Sequence, residues 1–290
     1  VVGCCEVAAA LADLTKMLIS SLQNPTIKQI RRLAQRKARE QTGFFFAEGI
    51  RIVAEAIQLQ APIETLVLAP DLLTSPFAQA LLQAHDLPRL PVTAEVFRSL
   101  ALKDNPQGLG AVVRQQWSDL SSISQQRAAS SQPAPQCWVA LASIQDPGNL
   151  GTILRTCDAV GATGLILLDQ TTDPYDPAAL RASTGAIFGQ TLVRARFEDF
   201  ATWRAQQSFF FVGAAGAAPL DYREAAYPFP LVILMGSERE GLTPSQQALC
   251  DALVRIPMVG RCDSLNLAVA TSLVLYEMFR QHQPKERFSS

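Results

Sequence analysis

Three apolar runs in this chain each stop at a cluster of Gly, Asn, Ser, Glu or Arg, an arrangement that constrains the fold more than any other feature. Trp138-Val139-Ala140-Leu141-Ala142 leads into DPGNLGTILRTCDAVGA, from Asp146 to Ala162. Leu231-Val232-Ile233-Leu234-Met235 leads into Gly236-Ser237-Glu238-Arg239-Glu240-Gly241. Arg255-Ile256-Pro257-Met258 leads, through a polar turn, to Ser264-Leu265-Asn266 and a long apolar helix. Short continuous apolar runs bounded by turn residues read as buried strands. Ligands in open α/β sheets collect at the carboxyl ends of strands. Polar groups from three distant segments are therefore expected to converge on one pocket.

With 290 residues, 48% of them hydrophobic, the chain can build one large or two ordinary domains, which excludes global disorder. Its six cysteines (Cys4, Cys5, Cys137, Cys157, Cys250, Cys262) form no CxxC spacing, and His85 and His282 are the only histidines. No metal site is expected from that set, and scattered thiols suit a reducing cytoplasm. No run reaches the roughly 18 apolar residues of a spanning helix, so no membrane partner is expected. Residues 1–16 carry Glu6 and Asp13 and lack a basic leading region, so they do not read as a secretory signal. They are expected to be a disordered extension or a mis-assigned start, with the recognisable pattern opening at Met17. The net charge of −1 argues against a uniformly basic nucleic-acid binder. Between Lys16 and Arg51, however, eight Lys or Arg (16, 28, 31, 32, 36, 37, 39, 51) face only Glu40 and Glu48. A local patch of that kind attracts phosphate whatever the total charge.

Asn24-Pro25 opens a helix as cap and first-turn proline, Ile27, Ile30, Leu33, Ala34 and Ala38 recur at helical spacing, and Thr42-Gly43 ends it. Lys28, Arg32, Arg36 and Arg39 fall on another face of the same helix, with Lys37 beside them; this is either a solvated basic face or an RNA contact. Strands are then predicted at Phe44–Glu48, Glu64–Leu68 and Leu109–Val113, and helices at Ile50–Leu59, Pro76–Ala84 and Ala94–Leu102, giving a small α/β domain over residues 17–115. The Gln-, Ser-, Ala- and Pro-rich stretch 116–136 reads as a linker. A second α/β domain is predicted over 137–290. Its strands are Cys137–Ile144, Gly164–Leu168, Phe209–Val212, Leu231–Met235 and Leu253–Ile256; its helices are Leu150–Val160, Ala201–Gln206, Pro244–Cys250 and Leu265–Arg280.

Taken alone, the first patch fits a ligand-binding turn and an ordinary βα turn equally. It places Arg155 about one turn inside its helix. A Rossmann nucleotide site is the main rival, with Asp169 as the acid about 20 residues on, although the glycines read G-x-x-G rather than G-x-G-x-x-G. In the second patch, Gly236 permits close approach of backbone or ligand, and Glu238 either orients a hydroxyl or an Arg or is simply solvated. In the third, Ser264 suits a helix N-cap, and the amide of Asn266 on an apolar helix needs partners. Arg181-Ala182-Ser183-Thr184-Gly185-Ala186 forms a fourth short element that also reads as a helix ending in Gly.

The order and spacing of these motifs resemble the SpoU (TrmH-like) branch of the SPOUT RNA methyltransferases over roughly the last 150 residues, including that family's Ser-x-Gly-Ala element. NPTIKQIRRLAQRKARE, FFFAEGIR and NPQGLGAVV more loosely resemble the family's N-terminal substrate-binding domain. The resemblance implies a C-terminal α/β domain with a deep trefoil knot, a small N-terminal α/β RNA-binding domain, and methylation of ribose 2′-hydroxyls from S-adenosylmethionine. It assigns catalytic roles to Arg155, Asn149, Glu238, Ser264 and Asn266, and cofactor contacts to Gly236, Ile256 and Leu265. Lys28, Arg32, Arg36, Lys37 and Arg39 then contact RNA. It further implies a cytoplasmic homodimer without a metal. An added N-terminal domain favours large-subunit ribosomal RNA over tRNA as substrate, by analogy. A nucleotide-dependent oxidoreductase and a non-catalytic RNA-binding protein on the same scaffold are the other classes.

Overall fold

A computed structural model of the chain describes residues 18–128 and 135–283, so residues 1–16 and the later part of the expected linker lie outside the described residues. Two compact units emerge. The first takes the chain up to Gln115 together with Tyr175–Phe188; the second takes Gln116–Pro174 and the chain from Gly189 onward.

The first unit runs α1 (Pro25–Arg32), α2 (Arg36–Thr42), β1 (Phe44–Glu48), α3 (Ile50–Gln58), β2 (Ile63–Leu68), α4 (Pro76–Ala84), β3 (Arg89–Pro91), α5 (Ala94–Leu100) and β4 (Leu109–Arg114). Its four strands lie in the order β1-β4-β2-β3, with β4 antiparallel to both neighbours and β2 parallel to β3. Asn24 caps α1 by accepting from Thr26 N and Ile27 N, and Gly43 (φ +71°) ends α2 in the left-handed region where glycine carries no Cβ penalty.

The single basic helix expected over residues 24–42 is two helices. Arg39 explains the break. Its guanidinium is 1% exposed, not on an RNA-facing surface, and donates to the carbonyls of Leu33 and Ala34, each at 2.9 Å. Those are the backbone acceptors left where α1 ends. Arg39 also pairs with Asp176 at 3.3 Å. A buried guanidinium needs this many acceptors, so Arg39 holds the unit together and is removed from the set of RNA contacts.

The second unit runs α6 (Leu120–Ala128), β5 (Cys137–Ala142), α7 (Pro147–Ala159) and β6 (Gly164–Leu168); the chain then contributes α8 (Pro177–Ser183) to the first unit. It continues through β7 (Thr191–Ala195), α9 (Phe197–Ala205), β8 (Phe210–Ala214), β9 (Leu220–Asp221), β10 (Leu231–Met235), α10 (Pro244–Gln247), β11 (Ala252–Arg255) and α11 (Leu267–His282). The seven strands are parallel throughout, in the order β7-β6-β5-β10-β8-β11-β9. This crossed chain order is consistent with the trefoil-knot arrangement that the resemblance implies. β5, β6 and β10 are buried at every position, as strands covered on both faces must be.

Part of the expected linker is α6. Its Ile123 is fully buried in the core of the second unit, beside Trp138, Phe200 and Trp203, and Ser124 Oγ accepts from Trp203 Nε1 at 3.2 Å. One apolar anchor in a polar helix is enough to dock it, and average composition hides that anchor.

Candidate functional site

The first patch is built at the carboxyl end of β5. The chain turns at Ser143 (φ +56°) and enters α7 through Asp146, whose carboxylate accepts from Asn149 N at 2.6 Å, with Pro147 in the first turn. Because α7 begins at Pro147, Arg155 lies about two turns inside the helix rather than one. Its side chain is exposed, and among the described residues it has no hydrogen bond to Asn149, Glu238, Ser264 or Asn266.

Three of the five residues assigned to catalysis form one chain of contacts. Glu238, just beyond β10, accepts from the backbone N–H groups of Gln145 and Asp146 at 3.3 Å and from Asn149 Nδ2 at 3.5 Å. Asn149 Oδ1 in turn accepts from Asn266 Nδ2 at 2.9 Å. Asn266 Oδ1 accepts from Ala268 N at 2.9 Å and Val269 N at 3.2 Å, so Asn266, not Ser264, is the N-cap of α11. The amide of Asn266 thus finds its partners at the head of the helix rather than within it. Two helix N-termini, those of α7 and α11, meet at this point, and both favour a nearby anion.

Ser264 belongs to a neighbouring cleft and donates to Asp263 at 3.2 Å. That cleft, about 300 Å³, opens at the carboxyl ends of β8, β10 and β11 and is walled by Met235, Gly236, Ile256, Leu265, Leu267 and Ala270, with Glu238 at its rim. The three expected cofactor contacts, Gly236, Ile256 and Leu265, all line it. A Cβ on Gly236 would lie 2.0 Å from the carbonyl carbon of Gly241. The close approach at Gly236 is therefore made by the chain itself, which turns back through reciprocal backbone bonds between Ser237 and Gly241, both 3.1 Å.

Asp169 (φ +60°), the acid of the Rossmann alternative, accepts from Phe197 N at 2.9 Å at the start of α9. It caps a helix instead of facing a ribose. Burial pushes the thiols of Cys137 and Cys250 up to about 12, the latter with help from Asp251, so neither supplies a thiolate near neutral pH. The fourth sequence element serves packing in the first unit. Ser183 is fully buried, and a Cβ on Gly185 (φ +101°) would lie 2.7 Å from Glu55 Cγ.

Residues 136–276 match the SpoU rRNA Methylase family, and residues 24–111 match the MRM3-like substrate binding domain. The 23S rRNA (uridine(2479)-2′-O)-methyltransferase of Streptomyces viridochromogenes is 31% identical, over 86% of this chain and 87% of that protein. The chain belongs to the SpoU methylase family. Among solved structures, an AdoMet-bound rRNA methyltransferase from Sinorhizobium meliloti is 39% identical with TM-score 0.80, covering 92% of this chain and 98% of that one. The SpoU methyltransferase AviRb of S. viridochromogenes, in complex with AdoMet, is 30% identical with TM-score 0.78, over 89% and 98% of the two chains.

The cleft fits the cofactor class of its SpoU relatives: apolar walls for a flat base, with polar groups at one rim for a sugar and an amino-acid end. Its volume falls at the lower end of the usual range for small-molecule sites, about 300–1,000 Å³. The motif reading missed Gln145 and the capping role of Asp146. Asp146-Pro147 carries the same cap-and-proline signal as Asn24-Pro25, so the second was legible; the role of Gln145 depends on contacts across strands.

Proposed function

We propose that this chain transfers a methyl group from S-adenosylmethionine to a ribose 2′-hydroxyl of large-subunit ribosomal RNA. The observation that carries this reading is the hydrogen-bonded chain Glu238–Asn149–Asn266 at the rim of an apolar cleft. It joins three strand ends around one point where a ribose can be held. The activity of the Streptomyces relative, a 23S ribosomal RNA 2′-O-methyltransferase, supports the choice of RNA and of the ribose 2′-hydroxyl.

S-adenosylmethionine supplies an electrophilic methyl group on a sulfonium, and its transfer is an in-line displacement. The protein's task is alignment more than acid–base work. Backbone at Gly236, Ile256 and Leu265 holds the cofactor, and Ser264 contributes a hydroxyl at the rim. Asn149, fixed between Glu238 and Asn266, orients the ribose. An arginine side chain serves as a fixed cation rather than a base, so Arg155 acts by placing the target phosphate and polarising the hydroxyl. As the oxygen–methyl bond forms and the sulfur–methyl bond breaks, the hydroxyl proton passes to water and the neutral thioether leaves. Lys28, Arg32 and Lys37, all exposed, hold RNA backbone; Arg36 is exposed too but is already paired with Glu40 at 2.8 Å. The apolar face that α11 leaves exposed, with Val269 and Tyr276 each about half exposed, is the contact of a homodimer. No helix among the described residues is long and apolar enough to cross a membrane. Cys137, Cys157, Cys250 and Cys262 are free thiols, which supports a cytoplasmic setting.

The test is methylation in vitro with purified protein, S-adenosylmethionine and separate 23S ribosomal RNA and tRNA transcripts, followed by mapping of 2′-O-methyl nucleotides. A single modified ribose in the ribosomal transcript is expected. Modification of tRNA alone overturns the substrate assignment, and modification of neither overturns the activity.

A further inference from the structure

We infer that Gln145 is a positioning residue for methyl transfer, acting by tying three strand ends together beneath the asparagine pair. The inference rests on the function proposed above. Its side-chain amide uses both N–H groups on backbone carbonyls: Nε2 donates to Ser143 O at 3.0 Å, just past β5, and to Gln170 O at 2.9 Å, just past β6. Its own backbone N–H donates to both carboxylate oxygens of Glu238 at 3.3 Å, just past β10. One residue thus fastens the ends of three adjacent parallel strands.

The two strand ends that the amide joins are both turned sharply. Ser143 and Asp169 have φ of +56° and +60°, a conformation that residues other than glycine adopt at a cost. Such turns persist only where surrounding contacts hold them, and the Gln145 amide bridges directly from one turn to the residue after the other. The next residue, Asp146, caps α7, and α7 carries Asn149 and Arg155. Any drift of the Ser143–Asp146 turn is therefore passed to both.

Gln145 is exposed and lies outside the lining of the cofactor cleft. Losing its amide removes no core packing and no cofactor contact, so the effect falls on alignment. A misplacement of about 1 Å costs on the order of 100-fold in an aligned reaction, and loosening without displacement costs less.

The experiment compares full-length parent protein, Gln145→Ala and Gln145→Glu on the 23S transcript. It reads kcat, KM for RNA, calorimetric Kd for S-adenosylmethionine, and Tm. Both variants are expected to lose about tenfold in kcat, with KM, Kd and Tm close to those of the parent. Gln145→Glu replaces both donors with carboxylate oxygens that face the carbonyls of Ser143 and Gln170, so its kcat should fall at least as far as that of Gln145→Ala. Parent-like kcat, or a kcat loss matched by loss of cofactor affinity or of Tm, overturns the inference. A parent that methylates no RNA sinks the underlying function instead, so the two failures are distinguishable.

Discussion

Asn266 has two duties that one substitution can separate. Its Oδ1 caps α11 through Ala268 N and Val269 N, and its Nδ2 donates to Asn149. Asp is as good a cap as Asn, so Asn266→Asp keeps the helix start and replaces the donor to Asn149 with a carboxylate oxygen facing Asn149 Oδ1. It is expected to retain Tm within a few degrees and cofactor Kd within about threefold, while methyl transfer falls on the order of tenfold. Asn266→Ala loses both duties and should cost about 1 kcal/mol of stability as well. Thermal unfolding with single-turnover methylation reads the difference, and equal rates for parent and Asn266→Asp would remove the pair from the mechanism. Arg155 is the opposite case, since no residue of the site holds it. Arg155→Ala should fold and bind cofactor normally, because the cleft walls come from other elements, yet methylate 100-fold or more slowly, as on loss of an electrostatic stabiliser. Arg155→Lys should recover little, because an ammonium lacks the forked planar geometry. Parent-like turnover by Arg155→Ala makes this arginine structural. Glu238 and both asparagines were legible as motif residues. Their mutual contacts, and the assignment of the cap to Asn266 rather than Ser264, were not, because they join positions up to 117 residues apart.

Helices α1 and α2 show what a break does to a charge pattern. On one continuous helix, Lys28, Arg32, Arg36 and Arg39 form a single basic stripe. The turn at Leu33–Gln35 splits it, leaving Lys28 and Arg32 one turn apart on α1 and Lys37 on α2. Lys28, Arg32 and Lys37 together changed to Ala should weaken RNA binding and flatten its dependence on salt, since each lost phosphate contact lowers the slope of log K against log salt by about 0.7–0.9. Cofactor affinity should not move. An unchanged slope across a salt titration would take α1 and α2 off the RNA surface. Strong periodic elements were read with accuracy: Phe44–Glu48, Pro76–Ala84, Gly164–Leu168 and Leu231–Met235 have the limits the sequence predicts. The strands Arg89–Pro91, Thr191–Ala195 and Leu220–Asp221 were not: the first and last are only three and two residues long, and all three lie at sheet edges, each paired with a single neighbouring strand. Helix α6 was missed because one buried Ile123 outweighs a polar average.

At the scale of the whole molecule, the division into units does not follow the order of the chain. The segment Tyr175–Phe188 leaves the second unit and completes the first. There Phe45 packs against Tyr175 at 4.6 Å between ring centroids, and Asp176 both caps α8 and pairs with Arg39. No local pattern reveals this, because the decisive pair is separated by 137 residues. The consequence is that residues up to Gln115 do not carry everything their own core requires. A fragment spanning residues 18–115 keeps the buried Arg39 guanidinium but loses its carboxylate, and Phe45 loses its ring partner. Only the arginine of this pair is buried, the Asp176 side chain being a third exposed, so losing the carboxylate costs less than the roughly 3–5 kcal/mol of a fully buried pair. The fragment is therefore expected to unfold at a lower temperature than the full chain. In the full chain, Arg39→Ala should lower stability by about 2–4 kcal/mol without altering the salt slope of RNA binding, the reverse of the pattern expected for Lys28, Arg32 and Lys37. Asp176→Asn keeps the α8 cap and tests the charge alone. Its loss and that of Arg39→Ala should be clearly less than additive in a double-mutant cycle. Additive losses, or a fragment that unfolds cooperatively at the temperature of the full chain, would show that the first unit stands without the returning segment.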